Sequence, residues 1–285
     1  MSTAVVEPVK VEPDAVRTWD AESAGTGGAA GRVTLHRAAR SEWVKLRTLR
    51  SSWLILLAAA VSMIAIGAVI GYNTGKSFVG LAAEDSAPSG GLQGAKLAML
   101  LVGVLGALLV TGEYGTGMIR STMAAVPRRV PVLLAKSGVL TVVTLVTMVA
   151  ASLATYAAAQ AFLSSYGHGT SLTAPGVLRV VLGTGLYLTL VALLGSAIGW
   201  LVRSTAGAIS TYAGLLLVLP LIVGLLPGSI STSFGRYLPS SAGDAFTSSV
   251  HKPDTLGPWS GLAVLVAWVL VALAAAAVSL RRRDA

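Results

Sequence analysis

VLRVVLGTGLYLTLVALLGSAIGWLV, residues 177–202, carries one charged residue, Arg179, close to its start. As an α-helix rising 1.5 Å per residue it is about 39 Å long, more than the roughly 30 Å of a bilayer's hydrocarbon core. A helix on the surface of a soluble fold keeps one polar face, and this run has none, so it reads as a transmembrane span. Working outward, tracts of the same kind lie at Trp53 to Tyr72, Leu92 to Thr111, Val132 to Phe162, Ala206 to Leu226 and Trp259 to Leu280. The expected fold is therefore an all-α integral membrane protein with six transmembrane helices. The Leu92 to Thr111 tract is the weakest of them: its unbroken apolar part runs only from Leu97 to Val110, and Lys96 has to snorkel at its edge. Composition agrees with this class. Of 285 residues, 54% are hydrophobic and 12% charged, where a soluble globular protein has about 25% charged. Cysteine is absent, which excludes disulfides, thiolate metal sites and a cysteine nucleophile.

Six spans put both termini on one side, so the basic residues can be sorted by loop. Leaving aside the two bases of residues 1–30, fourteen of the 21 fall on the terminal side: Arg32, Arg37, Arg40, Lys45, Arg47 and Arg50 before the first span, Arg120, Arg128, Arg129 and Lys136 in the second loop, Arg203, and Arg281 to Arg283. Five fall on the other: Lys76, Lys96, Arg179, Arg236 and Lys252. The richer side belongs in the cytoplasm. The net charge of +9 is then chiefly topological, with anionic membrane lipids as its neighbours, and no nucleic-acid partner is expected. Trp53, Tyr72, Tyr114, Tyr166, Trp200 and Trp259 stand at span ends, as an interfacial aromatic belt requires, while Trp268 in mid-span reads as packing.

Outside the spans four segments have character of their own. Residues 1–30 hold five acids against two bases with a Gly/Ala-rich end, a composition that buries no core and reads as a disordered acidic tail. Residues 31–52 form an amphipathic helix in the interface: Leu35, Ala39, Trp43, Leu46, Leu49 and Trp53 recur every three or four residues as one apolar stripe, and Arg37, Arg40, Ser41 and Arg47 lie elsewhere on the wheel. Glu42 breaks the pattern by falling within the stripe. It serves either as a local partner of Lys45 or as a contact to another cytoplasmic loop. The third segment, the loop Gly112 to Pro131, suits a short helix over Thr116 to Val126, entered through Gly115 and Gly117 and stopped by Pro127. Such an element either passes motion from a soluble partner into the membrane or simply orients the chain by its charge. On the outer side, Pro227 to Pro258 reads either as short helices dipping toward the membrane or as a plain loop. Residues 53–285 make up the transmembrane domain.

No catalytic constellation is present. Gly71, Gly75, Lys76 and Ser77 imitate a phosphate-binding loop but are one residue short, and they end a hydrophobic helix instead of following a strand. Neither a zinc-protease motif nor a nucleophile elbow occurs. His36, His168 and His251 are too scattered for a metal site. The span interiors contain no Asp, Glu or His, and Glu113 and Lys136, near span ends, are expected to snorkel to water. A chain without an internal ion relay that moves a substrate uphill has to borrow its energy from another subunit.

Two runs carry a resemblance. Ser41-Glu42-Trp43-Val44-Lys45-Leu46-Arg47-Thr48-Leu49-Arg50-Ser51-Ser52-Trp53 resembles the opening of actinobacterial permeases of the type 2 ATP-binding cassette exporters. The run Glu113-Tyr114-Gly115-Thr116-Gly117-Met118-Ile119-Arg120-Ser121-Thr122, followed by Val126-Pro127-Arg128-Arg129 and Ala135-Lys136, is similar to that family's second-loop signature in order and spacing. The resemblance covers residues 33–285. It implies a plasma-membrane permease that pairs with a second copy or a homologue and with two ATPase subunits, which hold ATP and Mg and do all the catalysis; this chain itself is no enzyme and binds no cofactor or metal. It further implies that Glu42, Trp43, Lys45 and Arg47 lie on a connecting helix. Glu113, Tyr114, Thr116, Gly117, Arg120, Thr122, Pro127, Arg128 and Arg129 would then couple to the ATPase around a coupling helix. Gly115 stands where a bulky polar or basic residue is expected. Spans 1, 2 and 5, rich in Ala, Leu, Val, Ser and Thr, would wall a path for a lipophilic or amphipathic cargo. The alternative is a non-transporting membrane scaffold or sensor that recruits cytoplasmic partners.

Overall fold

The structure is a computed structural model that describes residues 34–76, 91–125, 129–249 and 254–282. The acidic tail read at 1–30, Pro127, Arg128, His251 and the side chain of Arg129 lie outside the described residues. All regular structure among the described residues is helical, and six helices are long and apolar enough to cross a membrane.

Helix α1 (Leu35–Thr48) ends where the Thr48 hydroxyl donates back to the carbonyls of Val44 and Lys45, and after Leu49 the chain restarts as α2 (Arg50–Lys76). The expected single amphipathic helix to Trp53 is thus broken at Leu49. Along α2 the residues Ser52, Leu56, Ala59, Met63, Gly67, Gly71 and Gly75 form one buried stripe, while Leu54, Leu57, Val61 and Val69 are exposed, the pattern of a helix with one face on protein and the rest in lipid. A short 3-10 turn (Leu92–Gly94) leads into α3 (Ala95–Gly115), and α4 (Met118–Ala125) follows across the turn at Thr116 and Gly117. Gly117 has φ +72, a left-handed conformation that glycine adopts freely. Next come α5 (Arg129–Ser165) and α6 (Val177–Val202), the latter with the bounds expected from sequence.

The fifth span begins as α7 (Thr205–Ala213), capped by the Ser204 hydroxyl, widens to a π-turn over Gly214–Val218 and closes as α8 (Leu219–Gly224). Pro220 has no N–H to give the carbonyl of Leu216, and the wider turn falls immediately before it. The outer segment forms two short helices, α9 (Gly228–Gly235) and α10 (Pro239–Thr247), and α11 (Pro258–Arg282) is the last span. Arg179 donates to the carbonyls of Phe246 and Ser248 at the end of α10. Trp268, expected only to pack, donates its indole N–H to the Tyr237 carbonyl at 2.9 Å, tying α11 to the α9–α10 corner.

The core is built around α6, which packs against α3, α5, α7, α10 and α11; α2 lies on α5 and α3. Within the chain 78% of the apolar stretch of α6 is buried but only 17% of that of the fifth span, so α6 is the axis and the fifth span the rim. The second span, read as the weakest for its short unbroken apolar run, is well enclosed, with 61% of its apolar stretch buried. Its small residues let backbones touch: a Cβ at Gly195 of α6 would strike the Gly103 carbonyl, and one at Gly106 would strike that of Ala192. Gly199 also faces Ala107, less tightly, with a Cβ there 3.0 Å from the Ala107 carbonyl oxygen, so these glycines pack helices within one chain. Tyr212 and Tyr187 fasten the same region, donating to the Met99 carbonyl and sulfur at 2.7 Å each.

Candidate functional site

Four charged side chains from three helices close into one cluster. Glu42 and Lys45 lie one turn apart on α1, Glu113 near the end of α3, and Lys136 two turns into α5. Lys136 Nζ stands 2.6 Å from Glu42 Oε2 and 2.8 Å from Glu113 Oε1; Lys45 Nζ stands 2.8 Å from Glu42 Oε1 and 2.9 Å from Glu113 Oε1. Charges alternate around this ring and cancel. Each ammonium has three protons. Lys136 gives its third to the Leu109 carbonyl at 3.3 Å, and Lys45 gives its third to the Thr122 hydroxyl on α4, also at 3.3 Å.

Glu42, Glu113 and Lys136 are at most 6% exposed. Burial on its own lowers the Lys45 pKa, but the hydrogen bonds and charges of Glu42 and Glu113 outweigh it, and the net direction is upward. Lys45 is therefore a cation at any physiological pH. Alongside the ring is a largely apolar cavity of about 210 Å³, walled by Leu46, Leu49, Leu108, Leu109 and Val139 together with the charged residues. Glu113 Oε2 is buried and takes no hydrogen bond from the described residues.

Several expectations are corrected here. Glu113 and Lys136 do not snorkel to water; each meets an opposite charge inside the protein, where burial forces pairing. Glu42 makes both contacts left open from sequence, the local one to Lys45 and a distant one to Lys136. It lies with Ala38 and Leu46 on the packed face of α1, whereas Leu35, Trp43, Leu49 and Trp53 of the expected stripe are exposed. Trp200 and Tyr114 are no interfacial belt. Trp200 is fully buried, Tyr114 meets it edge to face at 6.1 Å, and the Arg203 guanidinium lies 5.4 Å from the Tyr114 ring.

Among the remaining residues of the second-loop signature, Thr122 joins the cluster through Lys45. Thr116 hydrogen-bonds back to the Gly112 carbonyl at 2.9 Å. Thr116, Gly117 and Arg120 are exposed, as are Trp43 and Arg47 on α1. A Cβ at Gly115 would meet nothing within 4 Å. Lys136 is the functional residue that sequence reasoning undervalued, and a signal for it exists: it is a lone lysine one turn inside an apolar span whose own helix, α5, carries no acid to pair with it.

The cluster joins the helix preceding the first span, the hairpin of the second and third spans, and the short helix at the turn of that hairpin. The junction ties the positions of these helices to one another, and the cluster pairs no nucleophile with a base. No curated protein matches the chain. The family model described as ABC-2 family transporter protein matches residues 39–220, well over half of the chain and every member of the cluster. A multi-pass helical chain so matched belongs to the ABC-2 transporter family, as a membrane-spanning permease component of an ABC transporter.

Proposed function

We propose that this chain is the permease of an ATP-driven exporter for a lipophilic or amphipathic cargo, working with separate ATPase subunits and a second permease copy or homologue in the plasma membrane, with both termini cytoplasmic. ATP and Mg are held and consumed by the partner. Closure of the ATPase pushes on α4, and the exposed Thr116, Gly117 and Arg120 beside it form the docking surface, with Tyr114 and Thr122 behind them. Pro127, Arg128 and Arg129 complete that loop. Glu42, Trp43, Lys45 and Arg47 lie on the connecting helix α1. The observation that carries the reading is the Lys45 ammonium, which bonds α1, α3 and α4 at once. A push on α4 is thereby felt in the second span. Export, not import, follows from family analogy.

The test is ATP hydrolysis by the assembled complex with Arg120→Ala in the permease. Loss of permease-dependent stimulation with the complex still intact supports docking through this loop; unchanged stimulation refutes it. Recovery of no ATPase subunit on co-purification would favour a scaffold instead.

A further inference from the structure

We propose that the groove between α1 and α5 binds one anionic glycerophospholipid, with an acyl chain along α5 and the phosphate held at Arg40. One face of α1, through Ala38, Glu42 and Leu46, is closed against the protein. The adjoining face, carrying His36, Ala39, Arg40 and Trp43, looks across a cavity of about 550 Å³ at α5. There Leu134, Gly138 and Val142 form an i,i+4 line, with Leu134 53% and Val142 62% exposed. The groove shares only Val139 with the walls of the cavity beside the charge cluster, so it is a separate site.

Two chemistries meet in it. The floor is apolar and open, since a Cβ at Gly138 would meet nothing within 4 Å; it fits a flexible hydrocarbon chain. The rim is cationic. Arg40 is exposed and makes no hydrogen bond or ion pair with a described residue, which leaves its planar fork open for a phosphate diester. His36 stands one turn before it, and Arg37, Arg47 and Arg50 add positive charge along the same helix and its junction with α2. The one acid of α1, Glu42, is on the other face and neutralised by two lysines. A headgroup of net negative charge matches that rim, whereas a zwitterionic one brings a cation up to Arg40. A free phosphate would leave the groove empty.

The inference rests on the reading that α1 lies at the membrane interface, but lipid retention needs no ATPase, so failure here leaves the transport reading standing. The full-length chain is reconstituted in vesicles of equimolar phosphatidylglycerol and phosphatidylcholine with matched acyl chains, extracted in mild detergent, and its retained lipid measured by native mass spectrometry. Phosphatidylglycerol is expected in excess. Arg40→Ala should cut that preference about fivefold, the worth of one basic residue at an anionic surface. Gly138→Leu should fill the groove and lower retention of both lipids, and Arg281→Ala, on the exposed end of α11, should change nothing. Neither Arg40 nor Gly138 makes a packed contact, so both variants are expected to fold. Added glycerophosphoglycerol, which has the headgroup and no chains, should fail to displace the lipid. Equal retention of the two lipids by the unaltered chain, indifference to Arg40→Ala or Gly138→Leu, or displacement by the chainless headgroup would each overturn the site.

Discussion

At the scale of single residues, the charge cluster leaves neither lysine a spare proton, because each of the two ammonium groups has three partners. Removing one member of a buried pair costs about 3–5 kcal/mol, mostly because its partner is left charged and unpaired. Glu113→Met is therefore expected to lower the thermal midpoint of the solubilised protein by several degrees. Glu113→Met with Lys136→Met is expected to recover most of that loss, since it leaves Glu42 and Lys45 as a balanced pair; an additive double variant would show that the two do not interact. The four residue types and their helices were legible in the sequence, and so was the oddity of Glu42 in an apolar stripe. What they meet was not. Helical periodicity fixes neighbours within one helix, but the Glu42–Lys136 contact spans two helices separated by two spans of chain. Trp200 failed for the same reason: a tryptophan at a span end suits the interface or the core equally, and only the presence of Tyr114 decides.

Among the elements, the α3–α6 contact governs the fold. Gly106 and Gly195 allow main chain to approach main chain, Gly103 leaves space for the Tyr212 ring, and a side chain at any of them has no room. Gly195→Leu is expected to prevent recovery of a monodisperse protein by gel filtration, whereas Gly138→Leu, on open surface, leaves the elution profile unchanged. Equal behaviour of the two variants would contradict the packing described. The sequence placed α6 to the residue but ranked the second span last, and the physical reason is clear. The ranking rests on how far an apolar run continues unbroken, and Lys96 and Thr111 shorten that run. The mean hydropathy of the span does not set it apart; what encloses α3 is the close approach of its small residues to α6, a contact between helices that no run length registers. The break at Leu49 and the π-turn before Pro220 were likewise invisible to a search for apolar length.

The whole molecule has apolar surface on its first, fifth and sixth spans and a neutral ionic junction on the side of α1 and α4. The proposed topology puts that junction in the cytoplasm. Because the chain has no cysteine, single introduced cysteines report sidedness cleanly. Ser121→Cys on α4 is expected to react with a membrane-impermeant maleimide only after permeabilisation, and Ser171→Cys, in the loop before α6, in intact cells. The reverse pattern would invert the topology. The central claim is that the junction of Glu42, Lys45, Glu113 and Lys136 carries the ATPase's motion into the spans. It is tested most directly by pulsed electron resonance on the assembled complex, with spin labels at Ser171→Cys and Ser229→Cys on the far side of the molecule. Trapping the ATPase in its ATP-closed state should shift the distance between the labels in the otherwise unaltered chain. With Glu113→Gln the complex should still assemble and close on ATP but leave that distance where it was. A full shift in the Glu113→Gln complex would contradict the account.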